Sequence, residues 1–255
     1  MLLKKFFTII VLLALTGVGS TIPSSITSIP LPKPLQDDIS SNCTDTLSTI
    51  FFSPAFMACL PITAFPPLIP LIPEIGNIKK NPRELLKYLD LIDQFSNGIC
   101  SATKCADKDI QGAIQDIEDG CKPDLNNNNT FAELIYGAFV FYSPLRDSIC
   151  FKNNNVFCVH ETLNTTLSLP DSPINITGNA VIDAIAVADP EQVCTRCNKD
   201  IINTFGNFIK NNTLALQVLA QAGINQTRID TMKIGVAVKC GIKFEDGKVP
   251  DHLPQ

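Results

Sequence analysis

The sequence lacks tryptophan altogether and has only two histidines, His160 and His252. Neither has a companion at a spacing typical of catalysis, so we interpret both as solvent-exposed side chains. A structural zinc site needs four ligands, and the chain has no second closely spaced Cys or His pair that would complete such a set. The sequence therefore predicts no metal and no cofactor.

Signatures of the common enzyme classes are also absent. The chain has no Gly-x-Ser-x-Gly nucleophile elbow, no glycine-rich phosphate loop and no two-His metal spacing. Carboxylate pairs of the kind that glycosidases use occur at Asp37-Asp38, Asp107/Asp109 and Glu118-Asp119. They fall in a linker or on polar helix faces, where carboxylates are solvated. We therefore expect no catalytic residues, and a secreted hydrolase is the least favoured alternative.

Positive charge is in short supply. The 20 Lys and Arg residues are outnumbered by 25 Asp and Glu, and the formal net charge is -5. No run of basic residues interrupts this acidic balance. A phosphate backbone would find nothing to attract it, so we exclude nucleic acid as a partner.

Long apolar runs are confined to the N-terminus, where Phe6–Leu15 follows two lysines and precedes small residues that end at Ser20. This pattern predicts a signal peptide over residues 1–20, because the run is shorter than the ~20 residues that a membrane anchor, the alternative, needs. The next most apolar stretch, Ile62–Ile75, contains four prolines, and the C-terminus lacks the hydrophobic tail of a lipid-anchor signal. We expect a secreted, extracellular product with no transmembrane span after signal removal. Its formal charge is -7, from 18 Lys and Arg against 25 Asp and Glu.

Cysteine, by contrast, is abundant, and all ten cysteines lie beyond residue 20. An even number in a secreted chain predicts a disulfide framework. The residues are Cys43, Cys59, Cys100, Cys105, Cys121, Cys150, Cys158, Cys194, Cys197 and Cys240. Six sequons predict N-glycosylation in the same compartment, at Asn42, Asn128, Asn164, Asn175, Asn211 and Asn225.

The mature chain divides into three predicted parts: a Ser/Thr/Pro-rich linker over residues 21–41, a disulfide-rich helical domain over 42–245 and a polar tail over 246–255. Helix-start signals occur at Ser53-Pro54, Asn81-Pro82, Thr130 and Asp189-Pro190, and each precedes apolar residues at helical spacing. Cys105–Cys121 brackets another amphipathic helix, and Gly98 and Gly223 are predicted helix ends. The prolines of Pro61–Pro73 predict a strap over apolar surface.

Three segments are less regular. Ser143-Pro144 predicts a short turn towards Cys150, and the polar stretch between Cys150 and Cys158 predicts a hairpin closed by a bridge between these two cysteines. Residues 160–178, rich in Thr, Asn and Pro, predict an exposed glycosylated connection. A last helix is predicted to end at Cys240, although Ile234, Val236 and Val238 also alternate as in a strand.

Two cysteine spacings carry further information. Cys194-Thr195-Arg196-Cys197 has the spacing of a thioredoxin-type motif, but no βαβ pattern surrounds it. We therefore interpret each sulfur as bridging outward, to a segment such as that of Cys240 or Cys100. Cys43 to Cys59 and Cys105 to Cys121 both enclose fifteen residues, which is compatible with two facing helical hairpins stapled together.

From Cys43 to Cys240 the chain resembles an uncharacterised group of secreted cysteine-rich fungal proteins, a domain of unknown function. The similar features are Asn42-Cys43 before a short helix, Ala58-Cys59-Leu60, Cys100/Cys105/Cys121, Cys150 and Cys158, and Val193-Cys194-Thr195-Arg196-Cys197-Asn198 leading into a helix. The resemblance implies a mostly helical secreted domain, often linked to the cell wall or to a lipid anchor, and it brings no catalytic residues.

Taken together, these observations predict an all-α fold, a disulfide-stapled helical bundle with one small Cys-bounded hairpin. The predicted function is that of a non-enzymatic secreted or cell-surface structural or interaction protein with an unidentified extracellular or cell-wall partner. The alternative is a carrier of an apolar ligand, such as a lipid or sterol, in a cavity of the bundle. Fifteen phenylalanines without a tryptophan suit packing or lipid contact better than sugar stacking.

Overall fold

The computed structural model describes residues 39–71, 73–171 and 180–250. The predicted signal peptide, most of the linker, Asp37-Asp38, Asn175 and His252 lie outside these residues. The described part of the chain is almost entirely helical, with a single two-stranded sheet. The predicted all-α class is confirmed.

The elements follow in chain order. The α-helices are α1 (Ser41–Phe51), α2 (Pro54–Cys59), α3 (Ile75–Lys80), α4 (Leu89–Ser101), α5 (Asp107–Gly120), α6 (Lys122–Asn126), α7 (Thr130–Val140), α8 (Tyr142–Cys150), α9 (Cys158–Ser168), α10 (Ala180–Val187), α11 (Pro190–Val193), α12 (Arg196–Asn211), α13 (Thr213–Gln221) and α14 (Gln226–Cys240). Three 3₁₀-helices span Ile62–Ala64, Pro66–Leu71 and Pro82–Tyr88. The antiparallel hairpin pairs β1 (Lys152–Asn153) with β2 (Val156–Phe157).

The main apolar cluster surrounds α7, whose residues are apolar on nearly every side. Phe139 packs its ring against Phe51 of α1 and Phe56 of α2, at centroid distances of 5.8 and 5.4 Å. Just beyond α7, Phe141 contacts Phe205 and Phe208 of α12. Neighbours on several sides therefore bury α7, as a helix that is apolar all round requires.

A second apolar cluster lies under the proline-rich strap. Leu68 and Leu71 of the strap are buried together with Phe95 of α4 and Leu163 of α9. The strap adopts 3₁₀ turns because its prolines remove backbone donors but keep a compatible φ. The predicted strap over apolar surface is confirmed.

Five disulfides join the helices and leave no cysteine free among the described residues. Cys43–Cys121 and Cys59–Cys105 link the α1–α2 segment to the two ends of α5. The two fifteen-residue spacings therefore mark helical segments of matched length that run antiparallel and are stapled at both ends. The stapling expected from the equal spacing is present, but the predicted pair of helical hairpins is wrong, because Cys105 and Cys121 enclose the single helix α5.

The hairpin between Cys150 and Cys158 forms, but the predicted bridge between these residues is wrong. Asn154 and Asn155 take left-handed φ values of 50° and 65° and make the turn. Cys150 ends α8 and bridges to Cys100 of α4, whereas Cys158 begins α9 and bridges to Cys197 of α12. Antiparallel pairing of β1 with β2 closes the hairpin, so no disulfide across it is needed. Each cysteine instead fastens a different helix pair.

The first half of the predicted exposed connection over residues 160–178 is helical instead, and residues 172–178 lie outside the described residues. Up to Ser168 the chain continues α9, which buries Leu163 and Leu167 in the second apolar cluster. The Thr-rich composition did not indicate this helix. The Thr162 hydroxyl donates a hydrogen bond to Asn198 of α12, and the Thr166 hydroxyl donates one to the carbonyl of Thr162. Tertiary packing overrides the weak helix propensity of threonine.

Two helix boundaries also differ from the prediction. α8 replaces the short turn expected after Ser143-Pro144, since a proline near the first position is compatible with a helix. Gly98 does not end α4, which continues to Ser101. A Cβ on Gly98 would lie 2.7 Å from the Cβ of Ala64, so this glycine serves the close approach of the strap to α4.

Candidate functional site: the C-terminal helix

Helix α14 begins and ends with well-defined caps. The Asn225 side chain accepts a hydrogen bond from the Arg228 amide at 3.0 Å, and Gly241 ends the helix with a φ of 83°. The predicted end at Cys240 before Gly241 is confirmed, and the strand alternative is wrong. Ile229 is the buried residue of this helix and joins the main apolar cluster.

The other end of α14 is tied to α10 and α11. Cys240 forms a disulfide with Cys194, directly after α11, and the Lys239 ammonium donates a hydrogen bond to the Ala186 carbonyl at 3.0 Å. Both half-cystines are only half-buried, unlike the fully buried Cys43–Cys121 pair. Helix α14 is therefore held at its two ends and leaves one long side without cover.

The segment after α14 is clasped by a polar row on α12. Asn203 donates to the Phe244 carbonyl and accepts from the Gly247 amide, both at 3.0 Å, and Asn207 donates to the Gly247 carbonyl. The Lys199 ammonium pairs with Asp246 at 2.7 Å and holds the pKa of that carboxyl below its usual range. This clasp fixes where the C-terminal end of α14 lies.

The uncovered side of α14 carries an apolar stripe, defined here as Ile234, Val238 and Ile242. Their exposed fractions are 65, 83 and 84%, the three highest among large apolar side chains of the described residues. The four-residue spacing places Ile234 and Val238 on one helix face, and Ile242 follows two residues beyond the helix. Single exposed apolar residues are ordinary, whereas two on one helix face with a third two residues beyond the helix form a candidate contact surface.

The stripe was missed by the sequence analysis, although a signal for it was present. Ile229 of α14 is buried and Val236 and Cys240 are half-buried, so these residues form the inward face of the helix. A helix with that inward face has the apolar residues Ile234 and Val238 on the opposite side. An apolar residue on both faces of a terminal helix signals either burial by a neighbour or an open contact surface.

His160 is not simply solvated, as its sequence context predicted. Its Nδ1 lies 2.7 Å from a carboxylate oxygen of Asp93, so the pair joins α9 to α4. The other oxygen of Asp93 is buried and has no hydrogen-bond partner. Within the described ranges no hydroxyl or thiol hydrogen-bonds to His160, so the nucleophile of a triad is missing from the contacts of this pair.

A polar network around α8 is the other cluster of ionisable groups. The Lys104 ammonium binds Asp147 at 2.7 Å and the Ser143 hydroxyl, and the Tyr142 hydroxyl accepts from the Cys105 amide. Arg146 donates to the Ala102 carbonyl at 2.8 Å and contacts the Cys150 sulfur, and burial lowers the pKa of its guanidinium. These bonds pin the link between α4 and α5 to α8, which is a structural role.

The chemical motifs singled out in the sequence have structural partners. Cys194 and Cys197 both bridge outward, to Cys240 and Cys158, as interpreted. Glu118 accepts from the Tyr136 hydroxyl, and burial with this hydrogen bond raises the pKa of Tyr136. Asp119 accepts from Gln115. In the part of the chain that the structure describes, no three His, Cys, Asp or Glu side chains group into a metal site.

Comparison with known proteins identifies the family of the chain. A family model for a domain of unknown function, DUF7729, matches residues 30–248. The chain belongs to this family. No curated protein and no solved structure matches it.

The DUF7729 match includes the apolar stripe, all ten cysteines and all six sequons. The five sequon asparagines within the described residues are solvent-exposed: Asn42, Asn128, Asn164, Asn211 and Asn225. The Asn42 amide donates to the Gly120 carbonyl at 2.7 Å. Their glycosylation stays a prediction. Among the residues described, no helix combines the length and apolar character needed to cross a membrane.

Proposed function

We propose that this DUF7729 protein acts outside the cell as a non-enzymatic interaction protein, and that the apolar stripe of α14 is its contact surface. The observation that carries the proposal is the exposure of Ile234 and Val238 on one face of α14, with Ile242 exposed two residues beyond the helix. Leaving such side chains in water forgoes roughly 25 cal/mol for each Å² of apolar area, so an uncovered stripe favours a partner.

The scaffold suits this role. Five disulfides link helices across the chain and support a compartment in which thiols are oxidised. Two of the restraints on α14, the Cys194–Cys240 bridge and the Asn203 clasp, act on the segment that carries the stripe. A rigidly presented surface loses less conformational entropy when it binds.

The hydrolase alternative has one supporting contact, the His160–Asp93 pair. That pair joins two helices at the second apolar cluster, and hydrogen bonds between helices of this kind also serve packing. An interaction role requires no further group, whereas catalysis would require a nucleophile or an activated water beside His160.

The test is retention of the secreted, oxidised full chain on intact cells or cell walls of its source organism. We expect the triple variant Ile234→Ser, Val238→Ser, Ile242→Ser to lose retention. The matched control Met57→Ser, Ile69→Ser, Val156→Ser, which alters exposed apolar residues elsewhere, should keep it. Circular dichroism and thiol titration establish that both variants fold and form their bridges.

Equal retention of the stripe variant and the wild-type chain would contradict the proposal. Native mass spectrometry of the purified protein addresses the carrier alternative in the same experiment. A lipid or sterol that co-purifies in fixed stoichiometry with both triple variants would favour an internal carrier site over a surface contact.

A further inference from the structure

Helix α14 and the residues that follow it are basic in an otherwise acidic chain. Residues 226–243 contain Arg228, Lys233, Lys239 and Lys243 against the single acid Asp230. The rest of the chain has sixteen Lys and Arg residues and twenty-four Asp and Glu. The apolar stripe therefore lies in a segment with a local excess of positive charge.

The cations of this segment are largely available. Arg228, Lys233 and Lys243 are exposed, and Lys239 uses one of its donors on the Ala186 carbonyl. Of the two acids directly beyond the segment, Glu245 interacts electrostatically with Lys233, and Asp246 is paired with Lys199. At physiological ionic strength charges are screened beyond about 8 Å, so a surface in contact with α14 experiences this local positive charge more than the net charge of the molecule.

We infer that the occupant of the stripe is an anionic phospholipid surface, on which α14 lies with Ile234, Val238 and Ile242 inserted among the headgroups. This rests on the proposed function and names its partner. A helix with exposed apolar side chains and adjacent cations is suited to the interface of a bilayer, which offers an apolar layer beneath negative charge. Ile234 and Val238 are about 6 Å apart along the helix axis, so the apolar contact is small and the binding is peripheral and reversible.

A second copy of the chain fits the same stripe less well. Two α14 helices placed face to face would bring eight cations and two carboxylates together, which is repulsive. The acidic remainder of the chain has the complementary charge, but the exposed apolar residues that the structure describes there, such as Met57, Ile69 and Val156, are scattered and at most 45% exposed. The described part of that surface therefore offers negative charge without a matching apolar stripe, whereas an anionic bilayer supplies both negative charge and an apolar layer.

The test is co-sedimentation of the oxidised full chain with vesicles of phosphatidylcholine alone and of phosphatidylcholine mixed with phosphatidylserine. We expect binding to the mixed vesicles and little to the neutral ones, with loss at high salt. Each of the three changes to serine on the stripe should lower the partition coefficient on the order of tenfold. The Met57/Ile69/Val156 triple control should bind as the wild type does.

A second variant tests the contribution of the cations separately from that of the apolar stripe. The double variant Arg228→Gln, Lys243→Gln keeps the stripe and removes two exposed cations, so its binding to the mixed vesicles should weaken and lose salt dependence. Absence of vesicle binding, or binding that the stripe variants leave unchanged, would overturn the lipid inference.

The failure of this inference is distinguishable from failure of the proposed function. If no vesicle binds but the stripe variants still abolish retention on cells, the partner is not a lipid and the interaction role stands. If light scattering shows self-association that the stripe variants abolish, the occupant is a second copy and the lipid inference is wrong. If the stripe variants change none of these measurements, both proposals fail.

Discussion

Asn203 shows how much of the C-terminal arrangement depends on a single side chain. It is buried in α12, and its amide meets a carbonyl and an N–H of the segment after α14. An amide can donate and accept at once, which is why asparagine fits a position facing both groups. Replacement by an apolar side chain would leave two backbone groups without partners.

We therefore expect Asn203→Ala to lower the free energy of unfolding by about 1–3 kcal/mol, because buried polar groups lose their hydrogen bonds. The measurement is urea unfolding of the oxidised protein. Asn207→Ala is the matched control, since Asn207 is half-buried and contributes one bond to the same segment. A smaller loss for Asn203→Ala than for Asn207→Ala would contradict this account of the clasp.

Asp200, three residues earlier, gives α12 a predictable pH dependence. It is buried, and burial raises the pKa of its carboxyl above the ordinary value of 3.8 despite Arg196, whose Nε is 3.7 Å away. The folded state therefore holds this proton more tightly than the unfolded chain does. Its contribution to stability is complete below pH 3.8 and is lost as the pH rises through the raised folded value.

The Asp200→Asn variant cannot ionise, so its stability should not fall over that pH interval. We expect the difference in unfolding free energy, variant minus wild type, to increase in favour of the variant as the pH rises from about 3.8 towards neutrality. Urea unfolding across this range measures it. A difference that stays constant with pH would show that the carboxyl titrates alike in both states. Asp246, whose pKa is lowered, contributes with the opposite sign in both proteins, and its charge adds to the rise in the pKa of Asp200.

At the scale of elements, the strap and α4 depend on a glycine contact. A Cβ added at Gly98 would lie 2.7 Å from the Cβ and 2.9 Å from the Cα of Ala64. Because the second of these is a backbone atom, the strap itself would have to move. We expect Gly98→Ala to destabilise the protein by about 1–3 kcal/mol, as overpacking does in other cores.

The control for this variant is Gly112→Ala in α5, where an added Cβ would find nothing within 4 Å. Alanine exceeds glycine in helix propensity, so this change should stabilise the protein by about 0.5–1 kcal/mol. Thermal unfolding of the two variants therefore gives shifts of opposite sign. Shifts of the same sign would show that the approach of Ala64 to α4 is looser than described.

The Cys194–Cys240 bridge supports one element rather than the core. Helix α14 otherwise has Ile229 as its buried anchor, so the double variant Cys194→Ser, Cys240→Ser should loosen α14 while the main apolar cluster persists. Hydrogen exchange should speed up over residues 226–240. The Cys43→Ser, Cys121→Ser variant removes a fully buried bridge between α1 and the end of α5. In this variant hydrogen exchange should speed up across α1 and α5. Identical exchange patterns in the two variants would contradict this division.

Among elements, local signals were sufficient where the cause is local. Caps at Ser53 and Asp189 and the proline after each of them predicted α2 and α11, since the capping oxygen and the first-position proline act within one turn. Local signals did not predict α9, because this helix is stabilised by the packing of Leu163 and Leu167 against residues that are distant in sequence. The apolar stripe was not predicted for a related reason, because the exposure of a side chain depends on which parts of the chain pack against it in the folded protein.

At the scale of the whole molecule, the fold class followed from composition, but the disulfide pairing did not. Equal spacing indicated that the segments ending at Cys59 and Cys121 are matched, because two antiparallel helices of one length bring their ends together. No such regularity assigns Cys150 to Cys100, since that pair reflects the packing of α4 on α8. Connectivity is a tertiary property, and ten cysteines permit many alternatives.

The five bridges span the whole described chain, with sequence separations of 78, 46, 50, 39 and 46 residues. Loop entropy assigns about 4 kcal/mol to a bridge of this span, and a typical domain has a net stability of about 5–15 kcal/mol. Losing all five therefore removes more than a typical domain has in reserve, even if overlapping loops make the sum smaller than five separate terms.

Complete reduction at neutral pH and moderate temperature should accordingly unfold the protein without denaturant. The half-buried Cys194–Cys240 bridge should react first and the fully buried Cys43–Cys121 bridge last, because the reductant must reach a sulfur before exchange begins. Alkylation at intervals, followed by peptide mass mapping, measures the order, and circular dichroism of the alkylated chain measures the loss of helix. An alkylated, fully reduced chain that retains a cooperative thermal transition would show that the apolar clusters alone sustain the fold.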